Sequence, residues 1–254
     1  YMKSTNKQNQ NITLRKSIFL TFFPINSIYK TGEYNSIMPL RIPRVPYYRE
    51  RTEKEEKTTE KEKPVWIDLY ERLYKERVLF LCKEIQTPFV NRFIALLLLL
   101  YLDTDIYGNY NDTDAYIYIN SPGGRADGSL AIYDTIQYIL ADVCTIAMGS
   151  TASGASLILV GGTITKRIAF PHARVLIHQP SSAPIRKNID GLVMEAEDML
   201  ELRNTIADIY AQKTGKPVDV IQKDLERDSF MSATEAQDYG IVDRVTKFKK
   251  EDPQ

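Results

Sequence analysis

The sequence predicts an α/β fold with a largely parallel sheet, and three observations lead there. Short apolar, β-branched runs are bounded by Gly, Pro or polar turns; helical stretches follow these runs in alternation; and β-α alternation joins strands by crossovers rather than hairpins. In chain order the strand-like runs are 78–85, 115–120, 143–149, 167–170 and 175–178. Helical stretches 89–102, 128–140 and 153–160 each follow one of them. A longer helix comes next, because Ile189, Leu192, Val193, Ala196, Leu200, Arg203, Ile206 and Tyr210 recur at helical spacing and Gly215 is placed to stop it. Glu195, Glu197, Asp198 and Glu201 keep much of its remaining surface polar, so it is expected to project from the globule or to pack against a second subunit. Ser232 with Glu235 three residues on reads as a capping box, Gly240 as the end of that helix, and 241–245 as a last strand.

Length and composition bound the rest. With 254 residues, 43% of them apolar, the chain is long enough for one α/β domain with a sizeable core. Lys plus Arg and Asp plus Glu are equal at 33 each, so no overall field favours nucleic acid, an anionic membrane or an acidic substrate. The longest apolar run, 93–102, is half the ~20 residues that a membrane-spanning helix needs. Residues 17–25 follow Arg15 and Lys16 and faintly imitate a signal peptide, but no small-residue cleavage site follows. Cys82 and Cys144 lie in strand-like runs without CxxC spacing, which predicts two buried, reduced thiols. Residues 1–37, rich in Asn, Lys, Ser and Thr, read as an appended extension that is disordered or processed. The charged run at 49–63 reads as a mobile loop, 64–246 as the folded body and 247–254 as a flexible tail.

The chemistry has few places to sit. Only His172 and His178 offer an imidazole base. Strand alternation does not separate them, since both have the same parity along 170–179; His178 is favoured because sites on parallel sheets gather at the carboxyl ends of strands. A purely structural histidine remains open on this reading. The segment Gly149-Ser150-Thr151-Ala152-Ser153-Gly154 leaves a strand and enters a helix, so Ser153 would have free amides nearby, suited to the anion of an acyl-transfer intermediate. It lacks the G-x-S-x-G pattern, and close packing alone would also explain its small residues. The turn Asn120-Ser121-Pro122-Gly123-Gly124 opens backbone amides to an oxyanion or a phosphate, or simply allows a tight bend; it is no P-loop.

Taken together over roughly 38–246, these segments resemble the ClpP family of proteolytic Clp subunits. The resemblance is carried by Met38-Pro39-Leu40-Arg41-Ile42-Pro43, by Ile119 through Gly124, by KRIAFPHARVLIHQP at 166–180, and by Glu226-Arg227-Asp228-Ser229-Phe230-Met231-Ser232-Ala233. GGTITKR at 161–167 and FMSATEAQDYGIV at 230–242 are most similar to the plastid-encoded form, with a bacterial form as the alternative, which implies the plastid stroma or else a bacterial cytoplasm. The resemblance implies a ClpP/crotonase-like β-α superhelical spiral with a long projecting handle helix. It also implies Ser153 as nucleophile, His178 as general base, Asp228 as the orienting carboxylate, and the amides of Gly124 and Gly154 as oxyanion donors. Residues 38–63 become the axial segment and its charged loop. The implied partners are unfolded protein substrates, other ClpP or ClpP-like subunits in two stacked heptameric rings, and an AAA+ Clp chaperone, with no nucleic acid and no membrane. No metal or cofactor is implied in this subunit, since ATP is used by the chaperone. Where the family commonly has Ala-Ala-Ser-Met, this chain has Thr151-Ala152-Ser153-Gly154. Two other readings stand beside a peptidase: a non-catalytic ring subunit, and an acyl-CoA enzyme of the crotonase type, for which no carboxylate pair can be placed.

Overall fold

The computed structural model describes residues 42–48, 64–102, 113–181 and 186–247. The expectations for 1–37 and for the charged run at 49–63 lie outside the described residues, as does all of the tail but Lys247. The chain divides into two compact units, Tyr1–Arg77 and Val78–Gln254.

In the first unit, β1 (Arg44–Tyr47) pairs antiparallel with β2 (Val65–Asp68), setting Arg44 opposite Asp68 and Tyr47 opposite Val65. Helix α1 (Leu69–Lys75) follows at once, its first amide bonded to the Pro43 carbonyl at 3.0 Å. None of these elements is among the predicted ones. β1 carries a proline and buries no residue, so it offers neither an apolar run nor a clean alternation.

The second unit has the predicted class, a mixed α/β fold on a parallel sheet. In chain order it contains β3 (Val78–Leu81), α2 (Thr87–Tyr101), β4 (Ala115–Ser121), α3 (Ala126–Tyr138), β5 (Val143–Ala152), α4 (Gly154–Val160), β6 (Arg167–Ala169) and β7 (Arg174–Ile177). There follow α5 (Ile189–Thr214), α6 (Val218–Leu225), β8 (Ser229–Ser232), α7 (Ala233–Tyr239) and β9 (Arg244–Val245). Strands β3, β4, β5, β6 and β9 lie side by side and parallel; β7 also pairs with β5, and β8 runs antiparallel to β7. β4 alternates cleanly, with Ala115, Ile117, Ile119 and Ser121 buried, whereas β5 is buried over Val143–Ala147 without alternation, as a strand covered on both faces must be.

Several boundaries differ from expectation, each for a local reason. β3 stops at Leu81; Ile85 rejoins the sheet only as an isolated parallel bridge to Gly124. Cys82, just past that strand end, is exposed, which corrects the prediction of two buried thiols; Cys144, inside β5, is buried. β5 runs past Gly149 to Ala152 because it changes neighbours. Its residues 145–147 pair with β6 and 150–152 with β7, and Gly149 makes the bend at φ +73°, its Cα facing the Asn120 side chain. The run 170–179 is not one strand, since a turn closed by the Ala173 amide on the Phe170 carbonyl separates β6 from β7 and holds His172. Parity arguments across that turn do not apply.

Helix α5 is capped by the Asn188 side chain, which accepts from the Gly191 amide, and ends on Gly215 at φ +75°. Its 26 residues span ~39 Å at ~1.5 Å each. Only Ile206, Ala207 and Tyr210 in it are buried, while Ile189, Val193, Met194 and Leu200 stand exposed on its first half. The second half is tied to the body: Lys213 Nζ donates to Gln137 on α3 at 2.7 Å, and the Lys213 carbonyl accepts from Arg167 at 3.2 Å. Arg167, almost wholly buried, also pairs with Asp243 through two guanidinium bonds of 3.0 and 2.6 Å and its backbone amide at 3.0 Å. Burial alone would raise the Asp243 pKa, but those bonds outweigh it and hold the carboxyl below the usual carboxylate range. No described helix is long and apolar enough to cross a membrane.

Candidate active site

Strand register brings three distant residues together. β5 and β7 are parallel, with Ala152 beside Leu176, so the residues just beyond each strand, Ser153 and His178, emerge at the same edge. β7 and β8 are antiparallel, with Ile177 opposite Ser229; continuing that register by one residue sets Asp228 across from His178. The side chains follow. Ser153 Oγ lies 2.8 Å from His178 Nε2, and His178 Nδ1 lies 3.3 Å from an Asp228 carboxylate oxygen. Asp228 is exposed and the histidine partly so. His172 sits in the turn before β7 and is not among the residues that gather at Ser153.

Ser153 occupies the junction between β5 and α4 with φ +55° and ψ −126°, a conformation that L residues rarely adopt. Such strain costs ~1–3 kcal/mol and persists only where the surroundings over-determine it. Here the Ser153 amide donates to the Leu176 carbonyl at 2.9 Å, and its carbonyl accepts from the amide and the hydroxyl of Ser156 at 2.9 and 2.6 Å. The side chain is thereby turned out of the strand line toward the imidazole.

The glycine turn after β4 packs against this elbow. Ser121 Oγ donates to the Lys83 carbonyl at 2.6 Å and accepts from the Gly123 amide at 3.1 Å. Ile85 brackets the turn, donating to the Gly123 carbonyl at 2.8 Å and accepting from the Arg125 amide at 2.9 Å. Gly123, at φ +89°, approaches so closely that a Cβ on it would overlap the Ala152 carbonyl and stand 2.7 Å from Ser153 Cβ. The amides of Gly124 and Gly154 donate to no acceptor among the described residues, which leaves both available to an oxyanion. A cavity of about 280 Å³ opens beside them, with Ser129, Leu157, Met199, Leu202 and Ile206 in its walls. At its mouth Arg125 holds Asp127 through bonds of 3.0 and 2.6 Å, and that contact keeps the Asp127 carboxyl below its usual range.

Two features escaped the sequence reading. Ser129 lies against Gly154, where it occupies the space a side chain at 154 would need. Tyr210 reads in the sequence as one more position on an apolar helix face; in the fold its hydroxyl lies 2.7 Å from Ser156 Oγ, beneath the elbow. No spacing rule joins residues so far apart in the chain.

A serine hydroxyl, an imidazole and a carboxylate at strand ends of a parallel sheet, beside a cleft and amides unpaired among the described residues, are groups of the kind that hydrolytic acyl transfer uses. A family model described as Clp protease matches residues 60–249. The chloroplastic ATP-dependent Clp protease proteolytic subunit 1 of Arabidopsis thaliana is 50% identical over 208 residues, covering 82% of this chain and 98% of that protein. ATP-dependent Clp protease proteolytic subunits of Aethionema cordifolium and Arabis hirsuta are 50% and 49% identical over the same length and shares. The chain belongs to the Clp protease family, and with it to the peptidases.

Proposed function

We propose that this chain is a serine endopeptidase subunit that hydrolyses peptide bonds of unfolded proteins. Ser153 is the nucleophile, His178 the base and then the acid, and Asp228 the group that orients and stabilises the imidazolium. The observation that carries this reading is the 2.8 Å separation of Ser153 Oγ and His178 Nε2 at a strained strand-to-helix elbow. With the imidazole proton on Nδ1, facing Asp228, Nε2 accepts the proton of the Ser153 hydroxyl as Oγ attacks the carbonyl carbon. The amides of Gly124 and Gly154 donate to the oxyanion. His178 then protonates the departing amine as the C–N bond breaks, and water, deprotonated by the same nitrogen, releases the acyl group from Ser153.

Residues 64–246 form the peptidase body in this reading. The relatives' names, proteolytic subunits of an ATP-dependent protease, support a partnership in which an AAA+ chaperone uses the ATP and feeds substrate, while this subunit needs no cofactor. The exposed apolar residues on the first half of α5 support contact between subunits, for which we propose two stacked heptameric rings. The chloroplastic relative supports a plastid location, and we assign the stroma.

The test is cleavage of short fluorogenic peptides together with fluorophosphonate labelling. Wild-type protein should cleave and label at Ser153, and Ser153→Ala should abolish labelling and lower turnover by something on the order of 10⁶-fold. Undiminished cleavage by Ser153→Ala would overturn the assignment.

A further inference from the structure

We infer that Tyr210 and Ser156 form a positioning pair that holds the Ser153 backbone in its strained, attack-ready conformation. The inference rests on Ser153 being the nucleophile and adds two residues whose hydroxyls meet beneath the elbow. Tyr210 is on the buried half of α5 and Ser156 on the first turn of α4, 54 residues apart, and both are buried. Their hydroxyl oxygens are 2.7 Å apart. Ser156 Oγ also lies 2.6 Å from the Ser153 carbonyl and 2.9 Å from the Leu176 carbonyl, the same Leu176 oxygen that accepts from the Ser153 amide.

The direction of these bonds follows from proton counting. Ser156 has one hydroxyl proton and two carbonyls to serve; carbonyls only accept, so its proton points at them. The phenol of Tyr210 must then donate to a Ser156 lone pair. The reverse would strand the phenol proton in the core, where an unmade bond costs the full desolvation of the group. Burial pushes the Tyr210 pKa above its ordinary value, so the phenol keeps this proton at working pH. The result is a chain from Tyr210 through Ser156 to the two carbonyls that bracket residue 153.

That chain bears on the strain that the fold stores next to the chemistry, at Ser153. Ser153 at φ +55° can relax when the Ser156 hydroxyl is lost or displaced and the Ser153 and Leu176 carbonyls keep only their backbone donors, and relaxation would carry Oγ off the 2.8 Å line to His178. Both hydroxyls are buried and bonded to each other, so although Tyr210 is also among the residues that line the cavity, a loosened elbow should appear in kcat and in acylation rate rather than in KM.

Tyr210→Phe removes the hydroxyl and leaves the ring filling its site; Ser156→Ala removes the intermediate. Each should lower kcat and the fluorophosphonate labelling rate about tenfold, which corresponds to ~1.4 kcal/mol, with KM within about twofold of wild type. The double variant should lose little beyond either single one, since both cut the same chain. Native mass and thermal melts run alongside, and rates are compared only between assemblies of wild-type mass. If both single variants assemble and keep kcat and labelling within about twofold, even with a lower melting temperature, the pair is structural only and the inference is overturned; additive losses in the double variant overturn it too. Failure of the serine assignment would look different, with Ser153→Ala still cleaving and wild type left unlabelled. Should Tyr210→Phe fail to assemble, Ser156→Ala, the smaller change, carries the same comparison.

Discussion

Putting a side chain at residue 154 should disable the site unless residue 129 gives way. A Cβ on Gly154 would overlap Ser129 Oγ and stand 2.9 Å from Ser129 Cβ, against an optimum of ~3.5–4.0 Å between carbons. Rotating the hydroxyl does not relieve the second contact, and it breaks the 2.9 Å bond that Ser129 donates to the Arg125 carbonyl. Gly154→Ala should therefore cost ~1–3 kcal/mol, as overpacked cores do. It should also push away the Gly154 amide, slowing fluorophosphonate labelling at least about tenfold, equivalent to ~1.4 kcal/mol of lost transition-state stabilisation. Ser129→Gly alone should cost ~1.5 kcal/mol, about a third from glycine replacing serine in the helix and the rest from the lost hydroxyl bond. In the double variant the overlap no longer exists. Its stability should match Ser129→Gly, its labelling rate should approach wild type, and the coupling energy from the four melts should equal the ~1–3 kcal/mol cost of Gly154→Ala. Additivity within ~0.5 kcal/mol would show that the two residues do not share one space, and the packing argument would fail.

Two further outcomes follow from the same structure. Gly123→Ala should leave no measurable peptidase activity, because a Cβ there meets the Ala152 carbonyl and Ser153 Cβ while φ is +89°; cleavage near wild-type rate would contradict this close approach. Asp243→Asn should destabilise the protein by on the order of 3 kcal/mol, since Arg167 is left almost fully buried without its partner. Asp243 has a folded-state pKa below its unfolded value, so its contribution is complete above the unfolded value of ~3.9 and is lost as pH falls through the folded one. The gap between wild-type and variant melts should accordingly stay constant from neutral pH to about 5 and close only in stronger acid; a gap that closes near pH 7 would count against the ion pair.

How much of this was legible beforehand varies with the range of the forces involved. Local patterns gave the α/β class, because alternation, β-branching and glycine stops act over a few residues: α5 ends at Gly215 as its sequence requires, and the Ser232–Glu235 capping box forms with both bonds present. The positions of Ser153 at a strand-helix junction and of His178 at a strand end were likewise readable from local sequence. Resemblance, not periodicity, pointed to Asp228. β1 and β2 were missed because their partly exposed residues show no apolar period, and Cys82 was misread because a strand boundary moved by a few residues.

The sequence by itself therefore determined most of the strands and helices of the second unit, though not α6, β8 or the elements of the first unit, and which residue types were available for acyl transfer, since those follow from side-chain shape and spacing along the chain. Only the tertiary structure decided which of them meet. The β5–β7 and β7–β8 registers select His178 over His172 and bring in Asp228, the bend at Gly149 lets one strand serve two neighbours, and Tyr210 reaches Ser156 across 54 residues. Register is set by the burial of whole faces at once, a cooperative quantity that no short stretch of chain contains.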